Sequence, residues 1–162
     1  MSEYSAAVTW ERKDAVFVDG RYSRAHTWQF DGGAVVRASS SPHSVPLPYS
    51  DATAVDPEEA FVAALASCHM LWFLAIAAKQ GYRVESYRDD AQGTLARGPN
   101  GKPCMTTVTL RPHVTFSGTK VPAAEVVRAM HEQAHAECYI ANSVTTHMTT
   151  VPTYETIVTD PR

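Results

Sequence analysis

The chain has 162 residues, 44% of them hydrophobic and 19% charged, with a formal net charge of -3. That is enough for one globular domain with a sizeable core, and too apolar for a disordered chain. The negative balance argues against a nucleic-acid binder, which normally carries a basic stripe.

The opening, MSEYSAAVTWERKD, has no basic segment followed by an apolar run, so a cytoplasmic protein is expected. Residues 6–10 alternate as a strand, and residues 16–18 are expected to form a second one ending at Asp19-Gly20. In RYSRAHTWQFDGG, the alternation of Arg24, His26, Trp28 and Phe30 predicts a strand, Asp31-Gly32-Gly33 a hairpin turn, and residues 34–38 the returning strand. The following stretch, SSSPHSVPLPYSDATAVDP, holds four prolines and reads as an extended loop. A loop of this length in a compact domain is often functional.

Residues 56–80, DPEEAFVAALASCHMLWFLAIAAKQ, read as one long helix around which the rest is organised. Asp56 suits the N-cap and Pro57 the first turn, where Glu58 and Glu59 face the positive end of the macrodipole. Gly81 is the natural stop. The helix is apolar on nearly every side, so burial on nearly every side is expected. Its length and flanking charge favour a core helix over a membrane span.

After it, strands are expected over residues 83–95 and 105–116, joined by the exposed turn RGPNGKP. Pro122 opens a second helix over residues 123–137, with Cys138 at or just past its end. Residues 144–158, rich in Thr and Val, read as a last strand with a bend or edge position at Pro152. With no internal repeat and no visible boundary, the expected layout is one α+β domain over residues 1–162, with mostly antiparallel sheet.

Two constellations could carry chemistry. His131-Glu132-Gln133-Ala134-His135 matches H-E-x-x-H, which places two imidazoles on one helix face. A catalytic zinc needs a third protein ligand and an open position, and no later residue has a recognisable spacing for it. A chance match on a solvated face is the stronger reading, with a zinc hydrolase as the outside alternative. The cysteines are more informative. Three cysteines in a chain without an export signal suggest redox or metal chemistry before a structural disulfide framework. Cys68 lies mid-helix, Cys138 seventy positions later, and Cys104 beside an exposed turn, where an incidental thiol is expected. Cys68 sits about three turns into its helix, beyond the reach of the helix dipole, so a reactive thiolate there needs a cation from elsewhere.

The segments YSRAHTWQFDGG, VPLPYS, DPEEAFVAALASCHMLWFLAIAAKQGY and RAHAECYIANSV resemble the OsmC/Ohr family of osmotically inducible and organic hydroperoxide resistance proteins. The resemblance covers nearly the whole chain. It implies an OsmC-like fold with two central helices packed between sheets, an intertwined homodimer with active sites at the interface, and thiol-dependent reduction of organic hydroperoxides. It matches Cys68 to the peroxidatic cysteine, Cys138 to the resolving one, Glu58 to the acidic partner, and Arg24 to the arginine, with Arg21 as the second candidate. It also implies an external dithiol reductant, such as a lipoyl protein. One departure concerns the second cysteine, often followed by proline in relatives but by Tyr139 here.

The residues suit that chemistry. A sulfenic acid formed on one thiol is rescued from over-oxidation by a second. An arginine fork can hold a thiolate and a peroxide, and a carboxylate can hold the arginine. No metal or organic cofactor is called for. Leu65, Met70, Leu71, Trp72 and Phe73 lie within two turns of Cys68, and some of them are expected to line an apolar pocket. Glu58 lies ten residues before Cys68, about 15 Å along the helix. Either Arg24 bridges part of that distance, or Glu58 meets the Cys68 of an antiparallel partner helix. The competing reading is a non-catalytic relative that holds an apolar ligand.

Overall fold

The computed structural model describes residues 1–157. The chain divides into two compact units, Met1–Ala60 and Phe61–Arg162.

The first unit is a three-stranded antiparallel meander of β1 (Ala6–Thr9), β2 (His26–Phe30) and β3 (Val35–Ala38). Val8 pairs with Trp28, which pairs in turn with Val36. Gly33 closes the hairpin at φ +85°, with its N–H donating to Phe30 O. The strand expected over residues 16–18 does not form. Phe17 takes φ +71°, and its ring packs on Trp10 and Tyr22 at 5.7 and 4.6 Å between centroids. Packing of three rings has overridden a short β-branched pattern. The proline-rich loop ends beside β3: Val55 N–H donates to Arg37 O, and Ser39 N–H to Val55 O.

Helix α1 (Pro57–Lys79) is closed at both ends as its sequence directs. Glu59 N–H donates to Asp56 Oδ1 (2.8 Å) and Asp56 N–H to Glu59 Oε2 (3.1 Å), a reciprocal capping box. At the far end Gly81 takes φ +77°, with Tyr82 N–H on Ala77 O and Gly81 N–H on Ala78 O, a Schellman closure.

The second unit holds two further three-stranded sheets and helix α2 (Ala124–Glu137). One sheet is β4 (Arg83–Asp89), β7 (Pro112–Ser117) and β9 (Thr153–Ile157); the other is β5 (Gln92–Arg97), β6 (Pro103–Leu110) and β8 (His147–Thr150). The three long strands expected from sequence are therefore each broken, and each passes from one sheet into the other. The breaks have local causes. Pro112 and Pro152 supply no N–H for a ladder. Asp89 Oδ1 accepts the Arg111 N–H at 2.7 Å, and Val151 N–H turns to Leu110 O. Val158, the expected end of the last strand, lies outside the described residues. The pairs β6–β8 and β7–β9 are parallel and the other four antiparallel, so the sheet is mostly antiparallel as expected.

Phe73, Ile76 and Ala77 of α1 pack with Val114, Phe116, Val127 and Met130, and Leu65 packs with Val108 and Leu110. The fully buried residues of α1, with His69, form one stripe. Burial on nearly every side is thus not met within one chain: Leu71 is 61% exposed. By length and apolar composition α1 would pass for a membrane span, contrary to the expectation from its length. Here its buried stripe serves as the core of the sheets.

Candidate active site

A second face of α1, beside the core stripe, carries Ala64, Ser67, Cys68, Leu71, Trp72 and Ala75, spaced three and four apart. With Tyr139 and Ile140 they line a cavity of about 500 Å³. None of these eight side chains is charged. Of the five residues expected near Cys68, Leu71 and Trp72 reach the cavity, whereas Leu65 and Phe73 turn into the core.

Cys138 reaches the same place from α2. That helix buries Val127, Met130, His131 and Ala134, and one more turn puts Cys138 on the same face. It is the C-cap residue and is wholly buried, while Cys68 is partly exposed. Both thiols are free, and they lie near enough for Cys68 to perturb Cys138. Burial, joined by the neighbouring Cys68, pushes the Cys138 thiol up to about 11, against the Ala141 N–H that donates to its sulfur at 3.3 Å. Cys138 is therefore protonated at neutral pH beside Cys68. The turn that follows is held together locally: Asn142 N–H donates to Cys138 O (3.0 Å), Asn142 Nδ2 to Ala136 O (2.9 Å) and Ser143 Oγ to Tyr139 O (2.6 Å). Cys104 is exposed in the β5–β6 hairpin, away from this pair.

The other expected residues lie in the first unit. Arg24 Nη1 donates to Gly20 O (2.8 Å) and Tyr22 O (2.5 Å), and the guanidinium stacks 3.8 Å from the Tyr22 ring. Glu58 is half-buried and makes no ion pair among the described residues; the Arg24–Glu58 pair expected from sequence is not formed. The acidic pair in the first turn is divided, with Glu59 in the capping box and Glu58 outside it. Arg21 is exposed, its N–H on Asp19 Oδ1.

Within the H-E-x-x-H motif Glu132 and His135 are exposed, as a solvated face would have them, but His131 is not. His131 is 3% exposed, and its Nδ1 shares a 2.9 Å hydrogen bond with Nε2 of the fully buried His69. Phe73 stacks on His131 at 4.1 Å. No cluster of three metal-ligating side chains occurs among the described residues. His131 is a core histidine, and its partner His69 carries no sequence signal beyond its apolar surroundings. Burial depresses both imidazoles: His69 to about 4, aided by the charge of His135, and His131 to about 3, aided by that of His69. A depressed histidine stabilises the fold above its unfolded value of 6.5 and loses that contribution as pH falls through the folded value. Stability is therefore expected to drop from pH 6.5 toward 4, by on the order of several kcal/mol for the pair at ~1.4 kcal/mol per pKa unit. Urea midpoints between pH 7 and 4.5 test this. Most of the slope should vanish in a His69→Leu/His131→Phe double variant, and a flat wild-type profile would contradict it.

A family model described as OsmC-like protein matches residues 50–152. An OsmC-like protein of unknown function from Vibrio cholerae is 58% identical, with TM-score 0.93, over 94% of this chain and 100% of that one. At 11% identity, an OsmC-like protein from Mycoplasma pneumoniae superposes with TM-score 0.71 over 94% of this chain and 97% of its own. An organic hydroperoxide resistance protein from Elizabethkingia anophelis, with thiocyanate bound, does so at 14% identity and TM-score 0.65, over 97% and 98%. The two distant likenesses bear on the fold alone. No curated protein matches.

Proposed function

This chain belongs to the OsmC-like protein family, and from that premise we propose that it is a thiol-dependent peroxidase that reduces organic hydroperoxides to alcohols. The observation that carries the reading is the pair of free thiols, seventy positions apart, brought next to each other beside an apolar cavity.

Cys68, as thiolate, attacks one peroxide oxygen. The O–O bond breaks, and the departing alkoxide takes a proton and leaves as the alcohol. Cys68 becomes a sulfenic acid. The Cys138 sulfur then attacks the Cys68 sulfur, losing its proton, and water departs as the disulfide forms. An external dithiol, such as a lipoyl protein, returns two electrons and two protons. Arg24 supplies the positive charge and Glu58 orients it, with Arg21 as the alternate. The uncharged cavity lining supports a cation brought from outside it. The cycle runs in the cytoplasm in a homodimer, which the open apolar face of α1 supports: Leu71 there is 61% exposed.

Burying an alkyl tail contributes about 0.8 kcal/mol per methylene, which hydrogen peroxide lacks. With a dithiol donor, kcat/KM for a bulky alkyl or aryl hydroperoxide is expected to exceed that for hydrogen peroxide by on the order of a hundredfold. Equal values would count against the cavity as the substrate site. The cavity also suits a second reading, a non-catalytic carrier of an apolar ligand. Ligand binding without any peroxide turnover would favour it.

A further inference from the structure

Two contacts join α1 to the segment after α2, and they run side by side. One is the thiol pair. The other is a ring pair formed by Trp72, one turn beyond Cys68, and Tyr139, the residue after Cys138. Their centroids are 5.7 Å apart and their planes cross at 89°, an edge-to-face meeting that aligns a positive ring edge with a negative ring face.

Tyr139 is 67% exposed, so burial of its ring does not fix it. The hydrogen bonds of this turn stay within residues 135–144: they set its shape and do not attach it to α1. Attachment falls to apolar contacts, Ala141 against the Leu65 cluster and Tyr139 against Trp72. Only the ring pair is adjacent in sequence to one thiol and one helical turn from the other. A disulfide tolerates little error, with Cβ atoms 3.5–4.5 Å apart as a rule. A directional contact beside the thiols limits the motion that would take them out of that range.

We propose that the Trp72–Tyr139 ring pair is a clasp that holds Cys138 in bonding position against Cys68, which makes Tyr139 a positioning residue of the redox pair. This rests on the reading of Cys68 and Cys138 as redox partners. The clasp raises the effective concentration of one thiol at the other and so favours the disulfide at equilibrium. Its contribution lies in the ring edge and not in the phenol hydroxyl.

The test needs no peroxide. The full chain is equilibrated in buffers of oxidised and reduced dithiothreitol, and the Cys68–Cys138 bond is quantified by alkylation and mass spectrometry. Tyr139→Ala and Trp72→Leu are each expected to lower the disulfide equilibrium constant about tenfold, about 30 mV for this two-electron couple. Tyr139→Phe should keep the wild-type value. The double variant should fall no further than either single one, because both remove the same contact. An unchanged potential in Tyr139→Ala, or additive losses in the double variant, would overturn the clasp. So would an equal loss of thermal stability in the reduced protein, the mark of a merely structural role. If the wild-type chain bonds Cys68 to Cys138 and only the variants disagree, the clasp alone fails. If the wild type forms no such bond, the clasp and the redox reading fall together.

Discussion

Cys68→Ser is expected to abolish peroxide reduction, a loss of roughly 10³-fold or more, as for removal of a nucleophile elsewhere. The serine hydroxyl is not ionised at neutral pH and cannot carry the oxidation as a sulfenic acid. Cys138→Ser should behave differently. Cys68 remains partly exposed beside the cavity, so it should consume about one peroxide per site and then stop. The stalled sulfenic acid should be trapped by a dimedone-type reagent and pass to the sulfinic form under excess peroxide. In the wild type the same over-oxidation should be slow, because Cys138 already lies beside Cys68. Cys104→Ser, on the exposed hairpin, should change little. Steady turnover by Cys138→Ser would remove it from the cycle, and turnover by Cys68→Ser would remove the cycle itself.

Arg24→Ala is expected to slow peroxide reduction by about 10²-fold, the usual effect of removing a donor aimed at developing charge. It should also move the pH profile of Cys68 alkylation to higher pH. No charged side chain lines the cavity, so an activating cation has to come from elsewhere. Arg24 now spends donors on the carbonyls of Gly20 and Tyr22, so service at the thiol requires their release or the use of its remaining N–H groups. Arg24→Lys should recover little, since an ammonium lacks the planar fork. An unchanged alkylation profile in Arg24→Ala would transfer the role to Arg21.

The helices were legible because their signals are local. The Asp56 N-cap, the Gly81 stop and Pro122 just ahead of α2 each act within about a turn of chain. Of the strand breaks, only the bend at Pro152 was legible. The strand pattern of residues 105–116 does not say that its halves pair in different sheets; the side chain of Asp89, which accepts the Arg111 N–H at the break, comes from another strand. The two cysteines were legible through family resemblance, whereas their contact depends on the turn after α2 that brings Cys138 back to α1. The His69–His131 pair was hidden for a similar reason. A histidine within an apolar helix gives no sign of the second histidine 62 positions away that satisfies it. Likewise Tyr139 registered only as a departure from a family habit, and its ring contact with Trp72 emerged from the fold.

The most direct test of the account is peptide mapping of the wild-type chain after treatment with one equivalent of an organic hydroperoxide. A single new linkage is expected, Cys68 to Cys138, removed by a dithiol, with Cys104 still alkylated as a free thiol. A bridge through Cys104, or a chain in which peroxide leaves all three thiols free, would contradict it.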